Sequence, residues 1–221
     1  MEAKRIVGII GGGHVGSSLA RAAVAHGYDV VIANSGSPES LASLVRLLGP
    51  AARAATPAEA AAAGDFAIVA TPLAAASSLP AAALAGKVVL VTTNYFPQRD
   101  GPVAELDRGA TTVPGLFQAR LPSSPVARAF SMLNADDMSG DGHPAGDPRR
   151  RALALAADDP AARDLARGLY DEFGFDAVDL GGLAEAWRVD PGQPAFVVRQ
   201  DTAELTANAA RARRPAASQP T

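Results

Sequence analysis

The chain has 221 residues, a formal charge of −3 and no cysteine. That length allows one sizeable core with a small appendage but leaves two full domains cramped. The balance of charge gives no reason to expect nucleic acid or an anionic membrane as partner, and the missing cysteines exclude disulfides, thiolate metal sites and cysteine nucleophiles, which points to a cytoplasmic address.

The N-terminal Met1-Glu2-Ala3-Lys4-Arg5 leads into an apolar run too brief for a signal peptide or a membrane span. Short apolar runs then alternate with alanine- and leucine-rich stretches, the rhythm of βαβ units feeding a parallel sheet. Strands are predicted at Arg5–Ile10, Asp29–Ala33, Ala51–Ala54, Phe66–Thr71, Lys87–Thr92 and Val126–Ser131. Helices are predicted at His14–His26, Pro38–Leu48, Pro57–Ala63 and Leu73–Leu84, with Pro38 and Pro57 in first turns and Gly27 and Gly49 as stops. Residues 138–148, rich in turn formers, read as an exposed loop. Beyond them Ala152–Ala156 reads as a strand, Asp159–Phe173 as a helix and Phe175–Asp179 as a strand of the same sheet. The fold class is therefore α/β, Rossmann-like and doubly wound. Its domain is expected over 1–180, a small C-terminal extension over 181–209, and a disordered tail over 210–221.

The first predicted strand runs directly into Gly11-Gly12-Gly13-His14-Val15-Gly16, which opens the first predicted helix. In that setting Gly11 permits the tight turn, Gly13 leaves room for a pyrophosphate against the backbone, and Gly16 lets helix and strand approach. The phosphates then meet the unpaired N–H groups of the helix start, so Gly11, Gly13, His14, Val15 and Gly16 are candidate binding residues for a nicotinamide dinucleotide. His14 either reaches the pyrophosphate or is an exposed residue without a task. The second strand ends in Ala33-Asn34-Ser35-Gly36-Ser37. A carboxylate there would bind a free ribose 2′-hydroxyl; neutral Asn34, Ser35 and Ser37 accommodate a 2′-phosphate instead, which favours NADP(H), and Ser37 can also cap the next helix.

Thr71 and Pro72 follow the fourth strand on the carboxyl edge and are expected to line the same cleft. Asn94, Tyr95 and Phe96 leave the fifth strand as a polar and aromatic cluster suited to a planar ligand, Asn94 by hydrogen bonds and the rings by stacking. Trp187, the single tryptophan, either closes that pocket or seals the core, the core being favoured. There is no nucleophile paired with a base and no metal-ligand spacing, so the catalytic residues stay unassigned and no metal is expected. Hydride transfer fits a site that works by positioning.

The chain resembles the family of coenzyme F420-dependent NADP oxidoreductases. The resemblance rests on Ile6–Gly16, Asn34-Ser35, residues 94–101, Val126–Phe130 and Phe175–Leu183. It implies a Rossmann-like domain with a small C-terminal addition, a homodimer, and direct hydride exchange between NADP(H) and a small-molecule redox acceptor, coenzyme F420 or a flavin. The loops after Thr71, Thr92 and Phe130 would frame the acceptor, which places Tyr95, Phe96 and Ser131 at its pocket. Two positions depart from the family pattern: Gly36 stands where relatives often carry an arginine, and Ser131 where they commonly carry asparagine or histidine. The competing readings are an NADPH-dependent reductase of a small imine or carbonyl compound, with Tyr95 or His143 as proton donor, and an NADP(H)-binding sensor without turnover.

Overall fold

The computed structural model describes residues 5–214. Eight strands form one sheet: β1 (Ile6–Ile10), β2 (Asp29–Ala33), β3 (Ala52–Ala54), β4 (Phe66–Val69), β5 (Val89–Val91), β6 (Val126–Arg128), β7 (Ala152–Ala157) and β8 (Asp176–Asp179). Their order is β3-β2-β1-β4-β5-β6-β7-β8. All neighbours are parallel except β6 and β7, which run antiparallel with Arg128 opposite Ala156. The order turns back between β1 and β4, where Ile10 lies beside Val69, and the crevice at the carboxyl ends of those two strands is where such sheets bind their ligands. This is the expected doubly wound fold.

The central strands β1, β4, β5 and β7 were legible because they carry continuous apolar runs with no polar alternation. That is the signature of a sheet covered on both faces, and β7 is buried at all six positions. Helix α1 (His14–Ala25) returns the chain from β1 to β2, packing Leu19, Ala22 and Ala23 on the sheet. After β2 a 3-10 turn at Pro38–Leu41 leads into α2 (Ala42–Leu48), so the single helix expected from Pro38 begins with a tighter turn. Helix α3 (Pro57–Ala63) matches the expected bounds and is fixed by a capping box in which Thr56 and Glu59 satisfy each other's backbone.

The expected helix Leu73–Leu84 is broken. A 3-10 segment, Leu73–Ser78, is followed by extended Leu79 and Pro80, and only then by α4 (Ala81–Leu84). Pro80 lacks the N–H the helix would need and holds Leu79 out of the helical region, with ψ 141°. Between β5 and β6, three helices went unpredicted: α5 (Pro97–Asp100), α6 (Ala104–Asp107) and α7 (Val113–Arg120). The first two are single turns, and α7 buries Val113 and Phe117 against β5 and β6 without a clear amphipathic period in its sequence.

Residues 138–148 are largely exposed but do not hang free. Met138 is buried, and the N–H of His143 donates to the Gly174 carbonyl at 3.0 Å. Gly142 and Gly174 allow that contact, since a Cβ on Gly142 would lie 2.2 Å from the Phe173 carbonyl oxygen. Helix α8 (Pro160–Glu172), capped by Asp159, crosses from β7 to β8. The C-terminal part is a 3-10 segment, Leu183–Val189, and helix α9 (Thr202–Ala210), which packs against β7 and β8. The first residues of the segment expected as a tail are held: Ala210 closes α9, Arg213 exchanges hydrogen bonds with Gln193, and Arg214 donates to the Gly109 and Ala184 carbonyls. Residues 215–221 lie outside the described residues. No described helix is long and apolar enough to cross a membrane.

Candidate functional site

The glycine turn is shaped by steric exclusion. Gly11 has φ +117°, and a Cβ there would lie 2.3 Å from the Ala70 carbonyl oxygen; one on Gly16 would lie 1.8 Å from the carbonyl oxygen of Gly11. Both positions therefore require glycine on structural grounds alone. Gly13 differs. Its backbone is extended, and an added Cβ would meet nothing within 4 Å, so the space it leaves faces outward. Gly13 is also the N-cap of α1 and supplies no side-chain cap, leaving the first N–H groups of α1, those of His14, Val15 and Gly16, without intrahelical partners. An open cradle under an uncapped helix start suits a pyrophosphate. Val15 itself packs its side chain toward the core. His14 turns away, its Nε2 lying 3.0 Å from Asp136 Oδ1, with both side chains mostly exposed.

Beyond β4, Thr71 and Pro72 stand beside the turn. Thr71 Cγ2 lies 3.2 Å from where a Gly11 Cβ would be, and the Thr71 hydroxyl is buried without a partner. An orphaned hydroxyl beside the crevice is what a ligand would satisfy. The Thr71 carbonyl accepts from Thr93 Oγ1 at 2.8 Å, which ties the loops after β4 and β5 together.

The loop after β2 is an internally satisfied turn. Asn34 Oδ1 accepts from the Gly36 N–H at 2.9 Å, Asn34 Nδ2 donates to Ser40 Oγ at 2.9 Å, and Ser40 Oγ donates to the Ser37 carbonyl. Ser37 occupies the N-cap position, but its hydroxyl makes no cap; it bonds Glu39, whose carboxyl it holds below the usual range. The expected capping role of Ser37 is thereby corrected. For a 2′-phosphate the loop offers exposed Ser35 and Ser37, and residues 34–40 include no arginine or lysine.

The residue that organises the next part of the site had not been singled out. Arg128, at the end of β6, is entirely buried. Its Nε donates to Ser131 Oγ at 2.6 Å, its Nη2 to Asn94 Oδ1 at 2.8 Å and the Val189 carbonyl at 3.3 Å, and its Nη1 to the Ala186 carbonyl at 3.2 Å and to the Asp190 carboxylate. Asn94 Nδ2 in turn donates to the Ser131 carbonyl at 2.6 Å. One guanidinium thus joins the loop after β5, the loop after β6 and the C-terminal extension. The signal was present in Val126-Ala127-Arg128-Ala129-Phe130: a charge inside a buried strand needs a partner. Phe130 adopts φ +53°, rare for a bulky residue, and this left-handed step brings Ser131 back onto Arg128. The phenol of Tyr170 fixes it, accepting from the Phe130 N–H at 2.9 Å.

These contacts correct two expected roles. Ser131 is 3% exposed and serves the Arg128 cluster rather than lining a pocket. The Asn94 amide has both ends engaged in that cluster instead of being held out toward a ring. Tyr95 and Phe96, by contrast, do line a cavity of about 480 Å³ with Leu106, Val113, Trp187 and Arg214. Asp190 is its shared wall with the Arg128 cluster. Trp187 lines this cavity rather than sealing the core. The Tyr95 hydroxyl is engaged, reaching Asp107 Oδ1 at 2.7 Å and accepting from the Val103 N–H at 3.0 Å; burial and the Asp107 carboxylate raise its pKa. His143 belongs to another place, a pocket with Ala25 and His26 at the far end of α1, a helix of 12 residues and therefore about 18 Å from the glycine turn. No group of three or more potential metal ligands gathers among the described residues.

Residues 6–95, from β1 to the loop after β5, match the family model described as NADP oxidoreductase coenzyme F420-dependent. The match is thus to the N-terminal part of the chain, which is similar to that family. The matched region holds the glycine turn, the loop after β2, Thr71-Pro72 and Asn94-Tyr95. Over 62 residues the chain is 37% identical to the protein YjhV of Escherichia coli (strain K12), a match covering 28% of this chain and 45% of that protein. Among solved structures it is similar to a hypothetical protein, SMa0349, of Sinorhizobium meliloti, with TM-score 0.77, 25% identity, and 89% and 95% of the two chains covered. It is also similar to a "putative f420 dependent nadp-reductase" of Arthrobacter sp. FB24, with TM-score 0.69, 23% identity, and 83% and 87% covered. An imine reductase of Pseudomonas sp. shares the fold at TM-score 0.56 and 20% identity, this chain matching 56% of its length.

Proposed function

We propose that the chain is an oxidoreductase that moves a hydride between NADP(H) and a deazaflavin or flavin-like acceptor, coenzyme F420 foremost. The observation that carries this reading is the open, uncapped start of α1 under Gly13, at the switch point of the sheet and in the region that matches the F420-dependent family model. The bound dinucleotide supplies or takes up the hydride at its nicotinamide ring.

The chain's own part is positioning. The turn Gly11–Gly16 and the N–H groups of α1 would hold the pyrophosphate, Ser35 and Ser37 would serve the adenosine 2′-substituent, and the orphaned Thr71 hydroxyl would be free to donate to the cofactor at the carboxyl edge. The Arg128 cluster ties the loops after β5 and β6 together, which would hold a bound ring pair in place for direct transfer. The proton that accompanies hydride reduction of the acceptor comes from solvent, and no side-chain acid is assigned.

The reduction of an imine or carbonyl compound is less well supported, because it calls for a side-chain proton donor. The Tyr95 hydroxyl is already spent on Asp107, and His143 sits at the other end of α1. The test is to mix the protein with NADPH and oxidised F420, and separately with FMN or FAD, following nicotinamide and deazaflavin absorbance in a single turnover. Stoichiometric exchange with F420 is expected. Tight NADPH binding without reduction of any of the three overturns the reading and leaves the sensor.

A further inference from the structure

The pairing of β6 with β7 stops early. Its antiparallel register sets Ala127 opposite Ala157 and Arg128 opposite Ala156; continued further, it would set Phe130 opposite Ala154. Both backbones face the right way for that pair. The Ala129 N–H is turned to Val91 on β5, and the Leu155 carbonyl and Ala157 N–H are turned to the far side of β7, which leaves Phe130 and Ala154 facing each other. The apolar run continues too, and sequence alone predicts a strand as far as Ser131.

Two side chains stand in the ladder instead. The Tyr170 phenol, carried by α8 and fully buried, accepts from the Phe130 N–H at 2.9 Å and donates to the Ala154 carbonyl at 2.8 Å. Met132 Sδ takes the Ala154 N–H at 3.2 Å. One phenol thus replaces a direct backbone bond, and burial keeps it neutral, able to donate and accept at once. Phe130 leaves the strand here with φ +53°, its ring edge-on to that of Tyr170. The next residue is Ser131, whose hydroxyl and carbonyl engage Arg128 and Asn94.

We propose that Tyr170 is a positioning residue for the transfer step. By holding β6 and β7 apart at Phe130, its hydroxyl keeps Ser131 on Arg128 and Asn94, and so fixes the two loops that frame the acceptor. The proposal rests on the hydride-transfer reading, but its structural half is tested without any cofactor.

Tyr170→Phe removes the hydroxyl alone and leaves the Phe130 N–H and the Ala154 carbonyl with only each other to bond, which draws β6 toward β7. Since a misplacement of about 1 Å can cost about 100-fold in rate, single-turnover transfer from NADPH to F420 should slow about 10-fold or more, with NADPH affinity within about 2-fold of wild type. Leu165→Ala trims the same helix at a residue outside the fork. It should lower the melting temperature at least as far and leave transfer within about 2-fold. In the chain without dinucleotide, the NMR signal of the Asn94 side-chain amide should shift in Tyr170→Phe and hold in Leu165→Ala. Where Tyr170→Phe loses its cooperative melt, Met132→Leu, which keeps the volume and frees the Ala154 N–H, is read in the same two ways. A wild type that transfers no hydride overturns the hydride-transfer reading and leaves the Asn94 signal to decide. An unmoved Asn94 signal, transfer at the wild-type rate, or equal slowing in Leu165→Ala overturns the proposal.

Discussion

Arg128 and Asn94 are 34 residues apart in the chain and 2.8 Å apart in space, Nη2 to Oδ1, joining the carboxyl ends of two adjacent strands. Removing the guanidinium strands several buried groups together. Arg128→Met would leave Asn94 Oδ1, Ser131 Oγ and two carbonyls without their donor and Asp190 without its counter-charge. A loss of about 3–5 kcal/mol is expected, read by urea denaturation. Arg128→Lys should recover little, because one ammonium group cannot match the planar fork. Near-wild-type stability of Arg128→Met would contradict the part assigned to this cluster.

Two glycines of the turn, Gly16 and Gly13, should separate by experiment. Gly16→Ala places a methyl 1.8 Å from the Gly11 carbonyl oxygen, so it should lower the melting temperature and NADPH affinity together. Gly13→Ala has open space and an ordinary extended backbone. It should melt like wild type yet bind NADPH at least 10-fold more weakly, its methyl standing where the pyrophosphate approaches. Unchanged affinity in Gly13→Ala would place the cofactor elsewhere.

Gly36 offers a gain-of-function test. A Cβ there would contact Ser40 Oγ at 3.4 Å and strain nothing else. Gly36→Arg adds the cation that residues 34–40 lack, opposite the expected 2′-phosphate. A charge-assisted hydrogen bond contributes about 1.5–3 kcal/mol, so the Kd for NADPH should fall about 10-fold while that for NADH stays put. A parallel change for both dinucleotides would argue against 2′-phosphate recognition by this loop.

The doubly wound order was legible because fully covered strands leave apolar runs that nothing else in the chain imitates, and the glycine turn because its steric demands admit few other residues. The break at Pro80 was legible in principle, since a proline eight residues into a helix forbids it, but the alanine richness of the segment masked the signal. That Arg128 needs a partner was legible; which partners it takes was not. Its partners lie at Asn94, Ser131 and Asp190, brought together only once β5 and β6 pair and the C-terminal extension folds back. For the same reason Ser131 and Asn94 looked available for ligands while their polar atoms were already engaged. Tyr95 and Phe96 line a cavity; the acceptor role expected of them belongs to the proposed function.

Acid should probe the loop that carries Asp136. Burial alone would raise the pKa of Asp141, but the Arg199 and Arg151 guanidiniums outweigh it and hold the carboxyl below its ordinary value. A carboxyl depressed in the folded state stabilises the protein above its unfolded pKa of about 3.9 and loses that contribution as the pH falls through the folded value. Asp141→Asn should therefore cost about 1–2 kcal/mol at pH 7, with the difference from wild type shrinking below about pH 4. Urea titrations at several pH values test it; a difference that persists undiminished at low pH would assign the loss to packing.

The span from Arg128 to Asp190 covers 62 residues of chain. At roughly 5–20 residues per second, a ribosome takes about 3–12 s to make that stretch. Throughout that interval the nascent β6 carries a guanidinium bound for the interior with its counter-charge not yet made. The five strands before it can assemble around the glycine turn, but the edge that receives β6 stays open until the C-terminal extension arrives. Synthesis of the stretch up to Asp190 is thus the step that completes the pairing of Arg128, and a chain released short of Asp190 would leave that cation without its counter-charge.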